Sequence, residues 1–192
     1  MNTPISLVRQ PVQYRQYRQT AWEIVNAEVI VEAPISLTVN GELWLTFMCT
    51  PVDLDALAVG FLFNEGHINS MDEVASVRIC PTGDNVDVWL RRAVPRPERW
   101  ARTSGCTGGT TSTNLNLPPP SLADGLLLTP TAVGILIHQF LETQRLYHET
   151  GGVHASALSD GEHICVVTED IGRHNTLDKI AGRCLLDQVA LT

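Results

Sequence analysis

One cysteine, Cys106, lies in Arg102-Thr103-Ser104-Gly105-Cys106-Thr107-Gly108-Gly109-Thr110-Thr111, among glycines and small hydroxyl residues and beside no apolar side chain. A thiol kept for packing behaves as a small hydrophobe and sits in an apolar strand or helix. This one sits where backbone can bend sharply and approach another molecule. The chemistry that suits it is nucleophilic: a thiolate on an exposed loop, with an idle cysteine on a flexible loop as the alternative. A second concentration of polar groups is Glu169-Asp170-Ile171-Gly172-Arg173-His174-Asn175, between an apolar run and a helical pattern. Ligands of open α/β folds settle beyond the carboxyl ends of strands, where helix N–H groups favour anions. Arg173 adds a planar donor fork suited to phosphate or carboxylate. The plainer readings are a helix cap by Asp170 or Asn175 and a surface ion pair among Glu169, Asp170 and Arg173. His154 projects from the start of a neighbouring strand beside the same crevice, and its type leaves both structural and functional readings open.

The elements that position these groups follow from periodicity. Residues 1–20 are polar and read as a loosely held arm. Strand signals run over Trp22–Val25 and Val29–Val31. Ile35–Val39 alternates apolar with polar up to Asn40-Gly41, a two-residue hairpin turn, and Leu43–Cys49 returns. Thr50-Pro51 predicts an N-cap, followed by a helix with Leu54, Leu57, Ala58, Phe61 and Leu62 on one apolar face and Asn64-Glu65-Gly66 at its end. Strands are predicted from Val74 to Cys80 and from Val86 to Leu90. Thr129-Pro130 caps a second helix running to Glu149, with Val133, Leu136, Ile137, Phe140 and Leu141 as its buried stripe, and Gly151-Gly152 read as its C-cap or as something more. The last third reads as strand, turn, strand, loop, helix. Cys165 falls in an apolar run typical of a strand buried on both faces, and Cys184 on the core face of the helix from Leu177. The fold class is α/β: a mixed sheet flanked by helices, with an N-terminal lobe containing the hairpin. The organisation is residues 1–100 as hairpin and helix lobe, 101–121 as cysteine loop and linker, and 122–192 as the second α/β part.

Composition limits the partners. The 192 residues carry 13 basic and 21 acidic side chains, a net charge of −8, which disfavours nucleic acid or an anionic membrane as the main partner. No stretch reads as a signal peptide or a membrane span. Five cysteines, odd in number and never spaced Cys-x-x-Cys, argue against a disulfide framework or a resident zinc site and for a reduced, cytoplasmic setting.

In order along the chain, Glu32-Ala33-Pro34, Val39-Asn40-Gly41, Thr50-Pro51-Val52-Asp53, Gly60-Phe61-Leu62, Glu65-Gly66, Ser104-Gly105-Cys106, Thr150-Gly151-Gly152-Val153-His154-Ala155, the Glu169–Asn175 stretch and Asp178-Lys179 resemble the FdhD family of sulfurtransferases. The resemblance implies a cytidine-deaminase-like fold and a sulfur carrier required for formate dehydrogenase activity. Cys106 matches the family's persulfide cysteine, which accepts sulfur from a cysteine desulfurase. The acceptor is the molybdenum (or tungsten) bis-guanine-dinucleotide cofactor. His154, Arg173, His174 and Asn175 are the residues expected to bind it, with no permanently bound metal. A non-catalytic chaperone of formate dehydrogenase or its cofactor is the alternative, and a homodimer is left open. Two departures stand out: many relatives carry a second loop cysteine where this chain has Gly109, and relatives continue well beyond the last helix, so that the chain ending at Thr192 reads as a fragment or a shortened variant. A zinc deaminase would want His-x-Glu with Pro-Cys-x-x-Cys, and His154-Ala155-Ser156 does not supply it.

Overall fold

Asn40 and Gly41 adopt φ of 50° and 82°, the pair of positive values that a tight two-residue hairpin requires. Around them β3 (Ala33–Val39) pairs antiparallel with β4 (Glu42–Cys49). These are the centre of a computed structural model that describes residues 8–102, 110–112, 125 and 127–189. Period-2 alternation turns Ile35, Leu37 and Val39 inward from β3. β5 (Val74–Ile79) and β6 (Asn85–Leu90) complete a sheet of order β4-β3-β6-β5, in which β3 and β6 run parallel. The sheet is therefore mixed, as expected.

Upstream, β1 (Arg9–Arg18) and β2 (Ala21–Ile30) form a separate two-stranded hairpin. The polar stretch read as an arm is thus a strand from Arg9, paired without a break with β2 from Arg9 opposite Ile30 to Arg18 opposite Ala21. The two strand signals around Trp22 and Val29 are one continuous strand.

Helix α1 (Leu54–Asn64) is not capped by Thr50. Its N-cap is Asp53, in the left-handed region and without a side-chain cap. Nor is it one-faced: Leu54 and every residue from Ala56 to Leu62 are buried. The sheet lies on one side of it and α4 (Arg173–Leu186) along another, so no wall faces water. The helices approach closely at Gly60 and Gly182, where a Cβ would lie 1.7 Å from the Asp178 carbonyl oxygen and 1.9 Å from that of Ala56, respectively. α4 in turn packs on the antiparallel pair β9 (His154–Ser159) and β10 (Ile164–Asp170).

Thr129 caps α2 (Pro130–Thr143) by accepting the Ala132 N–H. The predicted long helix breaks at Gln144, and α3 (Arg145–Thr150) follows, ended by Gly151 at φ 65°. Of its expected stripe only Leu136 is fully buried, while Val133, Ile137 and Leu141 are exposed. Periodicity shows that a face is apolar, but not that another element covers it. Two further expectations shift for the same reason. Cys165 is exposed, since α4 covers only one face of the β9–β10 pair, and Leu177 points outward while Thr176, Lys179, Gly182 and Cys184 form the inner face of α4.

Candidate functional site

The turn from β10 into α4 is built on Asp170, which is fully buried. Its Oδ1 accepts the Gly172 N–H at 2.7 Å and an Asn175 Nδ2 proton at 2.8 Å. Its Oδ2 accepts the Thr50 N–H at 3.0 Å and forms an ion pair with Lys179 Nζ at 2.6 Å. Lys179 is also fully buried, and its two other donors go to the carbonyls of Thr50 (3.1 Å) and Glu169 (3.3 Å). Every charge is matched and every ammonium donor used, the condition under which a buried pair is tolerated. Thr50 Oγ1 then accepts the Ile171 N–H at 3.0 Å. Two segments far apart in sequence are thereby locked at one corner, with the ion pair inside rather than on the surface.

Glu169 also turns away from Arg173. Its two carboxylate oxygens accept the N–H groups of Leu146 and Tyr147, each at 2.8 Å, satisfying the first turn of α3 from outside. Asn175 donates both amide protons within the protein, to Asp170 and to the Met48 carbonyl (2.9 Å). Its carbonyl oxygen is what it can still offer a ligand. At this corner Arg173, at the first position of α4, is exposed and His174 is half-buried. His154 is exposed and stands directly opposite Asp170 in the β9–β10 register. The structure thus brings His154, Arg173, His174 and Asn175 to one corner, at a helix N-terminus whose cap residue is Gly172 and carries no side-chain cap. Such a corner favours an anion.

Cys106 lies outside the described residues, but the strands on either side of its segment do not. β7 (Ala101–Arg102) pairs antiparallel with β8 (Thr110–Thr111). Just before β7, Trp100 stacks on Phe61, with ring centroids 6.1 Å apart, and tilts against Trp44 at 6.4 Å. Just after β8, Glu65 Oε2 accepts the Ser112 N–H at 2.5 Å, the Ser112 hydroxyl at 2.8 Å and the Thr111 hydroxyl at 3.1 Å. The base of the cysteine segment is therefore fixed to the C-terminal end of α1. That end also meets α4: Asn64 Nδ2 donates to Asp178 Oδ1 at 2.7 Å. Burial, with Glu65 and Asp170 nearby and despite the Asn64 hydrogen bond, pushes the Asp178 carboxyl up to about 7. Among the described residues no three His, Cys, Asp or Glu side chains are grouped to hold a metal ion. No helix among them is long and apolar enough to cross a membrane.

The model of the FdhD/NarQ family matches residues 30–192. The chain belongs to that family. Curated relatives of this FdhD/NarQ member include the sulfur carrier protein FdhD of Staphylococcus aureus (strain MRSA252), 31% identical over 96% of this chain and 71% of the relative. The protein of the same name from Bacillus licheniformis is 33% identical over 90% of the chain and 69% of the relative. A crystal structure described as that of a formate dehydrogenase accessory protein candidate, from Desulfotalea psychrophila, superposes with a TM-score of 0.70 at 23% identity. It covers 95% of this chain and 69% of that one, a likeness of fold.

Sequence reasoning did not find the parts played by Thr50, Glu65, Ser112 and Lys179. Lys179 had a signal: a lysine in phase with Thr176 and Gly182 on an inward helix face demands a buried acid, and Asp170 is the acid of the adjoining strand. Glu65 and Ser112 had none, because a carboxylate ending a helix and a serine in a polar run are individually ordinary.

Proposed function

We propose that this FdhD/NarQ family member is a cytoplasmic sulfur carrier serving formate dehydrogenase, with Cys106 as the atom that carries. The Cys106 thiolate attacks the outer sulfur of a persulfide on a cysteine desulfurase. The desulfurase S–S bond breaks, its cysteine leaves as the thiolate, and a new S–S bond forms on Cys106, so neither oxidant nor reductant is consumed. The outer sulfur would then pass to the molybdenum or tungsten bis-guanine-dinucleotide cofactor, bound here as a substrate: the S–S bond breaks, Cys106 is left as the thiolate, and the reduced metal of that substrate supplies the two electrons that bring the sulfur to the sulfide level. Because position 109 is glycine, no loop disulfide or dithiol relay with Cys106 is available there, and one sulfur atom carries the load.

The observation that carries this reading is the Asn64–Asp178 hydrogen bond of 2.7 Å. It joins the helix end that anchors the cysteine segment to α4, one turn beyond His174, and His174 and Asp178 share a helix face. That turn is about 5.4 Å of rise. Cys106 is four residues from each of the paired ends Arg102 and Thr110, which gives it a covalent reach of about 14 Å. In this proposal the thiol meets an anion held by Arg173 and His174 at the N-terminus of α4, a place that suits the cofactor's phosphates.

The test is mass spectrometry after incubation with a desulfurase and cysteine. One added sulfur is expected on the peptide holding Cys106, and none in Cys106→Ala. The Ala variant is expected to keep its fold and partner binding while formate dehydrogenase activity in cells falls to background. Full activity with Cys106→Ala would reject sulfur carriage and leave a non-catalytic chaperone.

A further inference from the structure

Glu65 ends α1 as its C-cap residue, with no basic residue in the last turn and the Asp178 carboxyl close enough to be perturbed by it. A negative charge there opposes the helix dipole. Local physics disfavours it, yet the side chain is half-buried and one of its oxygens receives three donors from Thr111 and Ser112. A fourth group closes the set. Ser112 has one hydroxyl proton and gives it to Glu65, so its oxygen accepts from His67 Nε2 at 3.2 Å. His67 is itself wedged edge-on against Trp44, ring centroids 4.9 Å apart, and burial holds its pKa below the ordinary histidine value. Thr111 is almost fully buried. No other carboxylate among the described residues accepts both the backbone and the side chain of one loop residue while a neighbouring hydroxyl shares the same oxygen.

We infer that Glu65, with Ser112 and His67, is a positioning device for the sulfur-bearing segment: it fixes where the chain leaves the body six residues after Cys106 and so where the sulfur can be presented. The inference rests on the sulfur-carrier reading for its purpose, but not for its geometry. The anchored end of the segment limits where Cys106 can be presented, and misplacement of a reacting atom by about 1 Å can cost on the order of 100-fold in rate. The energetic handle is the set of charge-assisted bonds to one oxygen, each stronger than a neutral one. Glu65 touches no reacting atom, so its effect must appear in placement rather than in chemistry.

The experiment uses the full chain as wild type, Glu65→Ala and Glu65→Gln. An amide oxygen can stand in for Oε2 as acceptor, whereas alanine cannot. Hydrogen exchange at the Ser112 amide is expected to quicken about tenfold or more in the Ala variant, the loss of one hydrogen bond to a charged group, and to return most of the way in the Gln variant. Steady-state loading by a desulfurase is expected to lose about tenfold or more in kcat for Ala, with the desulfurase's KM for the carrier unchanged, and to recover within about threefold for Gln. Unchanged Ser112 exchange in Glu65→Ala overturns the inference. So does wild-type kcat in that variant, or a Gln variant as slow as Ala, which would make the charge rather than the anchor responsible. If wild-type protein accepts no sulfur at all, the carrier reading fails, and the anchor is judged on the Ser112 amide alone.

Discussion

Among single residues, Asp170 has the most to lose. All four of its contacts are internal, and its partner Lys179 has no exposure to solvent. Removing one member of such a pair leaves an unmatched charge in the interior, at a cost of about 3–5 kcal/mol, whereas replacing both with apolar groups of similar size is close to neutral. Lys179→Met is therefore expected to lose about that much in urea denaturation, a large share of a stability of about 5–15 kcal/mol. A double variant with Asp170→Leu should be less damaged by the second change than wild type is by either. Asp178 makes a separate prediction. Its carboxyl is raised in the folded state from the ordinary 3.8 to about 7. The folded protein then binds more protons than the unfolded chain between those two values, and stability falls as pH rises through that window. Asp178→Asn removes the ionisation, so its Tm relative to wild type should rise between pH 4 and pH 8. A difference that is flat or falling would contradict the burial of this group. The sequence placed Asp170, Arg173 and His174 in one cluster, and the structure keeps them together. It could not divide their labour, because whether an acid caps, pairs or binds depends on what lies opposite, and Thr50 lies opposite from 120 residues away.

The contact between α1 and α4 tests the elements themselves. Gly60 and Gly182 each present their open face to backbone of the other helix, so an added methyl group meets a carbonyl oxygen that no rotamer change can move. Alanine is the better helix former by about 1 kcal/mol, while overpacking a tight interior costs about 1–3 kcal/mol and sometimes more. At less than 2 Å the second effect wins. Gly60→Ala and Gly182→Ala should each lower Tm, and a rise in Tm would show that the helices are free to part. This is also where sequence reading stops. The β3–β4 hairpin was legible because its turn chemistry is local. Burial of α1 on every side was not, since one of its walls comes from α4, and the exposed stripe of α2 looked like a core stripe for want of any sign of what covers it.

In the molecule as a whole, the described residues divide unevenly. The main core joins the four-stranded sheet to α1, and nothing from β1 or β2 belongs to it. That hairpin reaches the remainder chiefly through α3, with Arg9 bridging Glu28 at 2.5 Å and Glu149 at 2.9 Å. It presents Tyr14, Tyr17, Trp22 and Ile24 to solvent. Deleting residues 1–29 is accordingly expected to preserve a single cooperative melt and to cost on the order of 1 kcal/mol, or about 2–4 °C in Tm. A collapse of cooperativity would show that the hairpin supports the core.

The order of synthesis gives the α1–α4 packing another meaning. Thr50 leaves the ribosome 120 residues ahead of Asp170, an interval of about 6–24 s at 5–20 residues per second. Throughout it, the nascent chain carries a helix that is apolar except for Asp55 and Asn64, and its second wall has not yet been made. A holdase that shields such a segment would have its best opportunity then, and a ribosome stalled before Arg173 would release a product prone to aggregate.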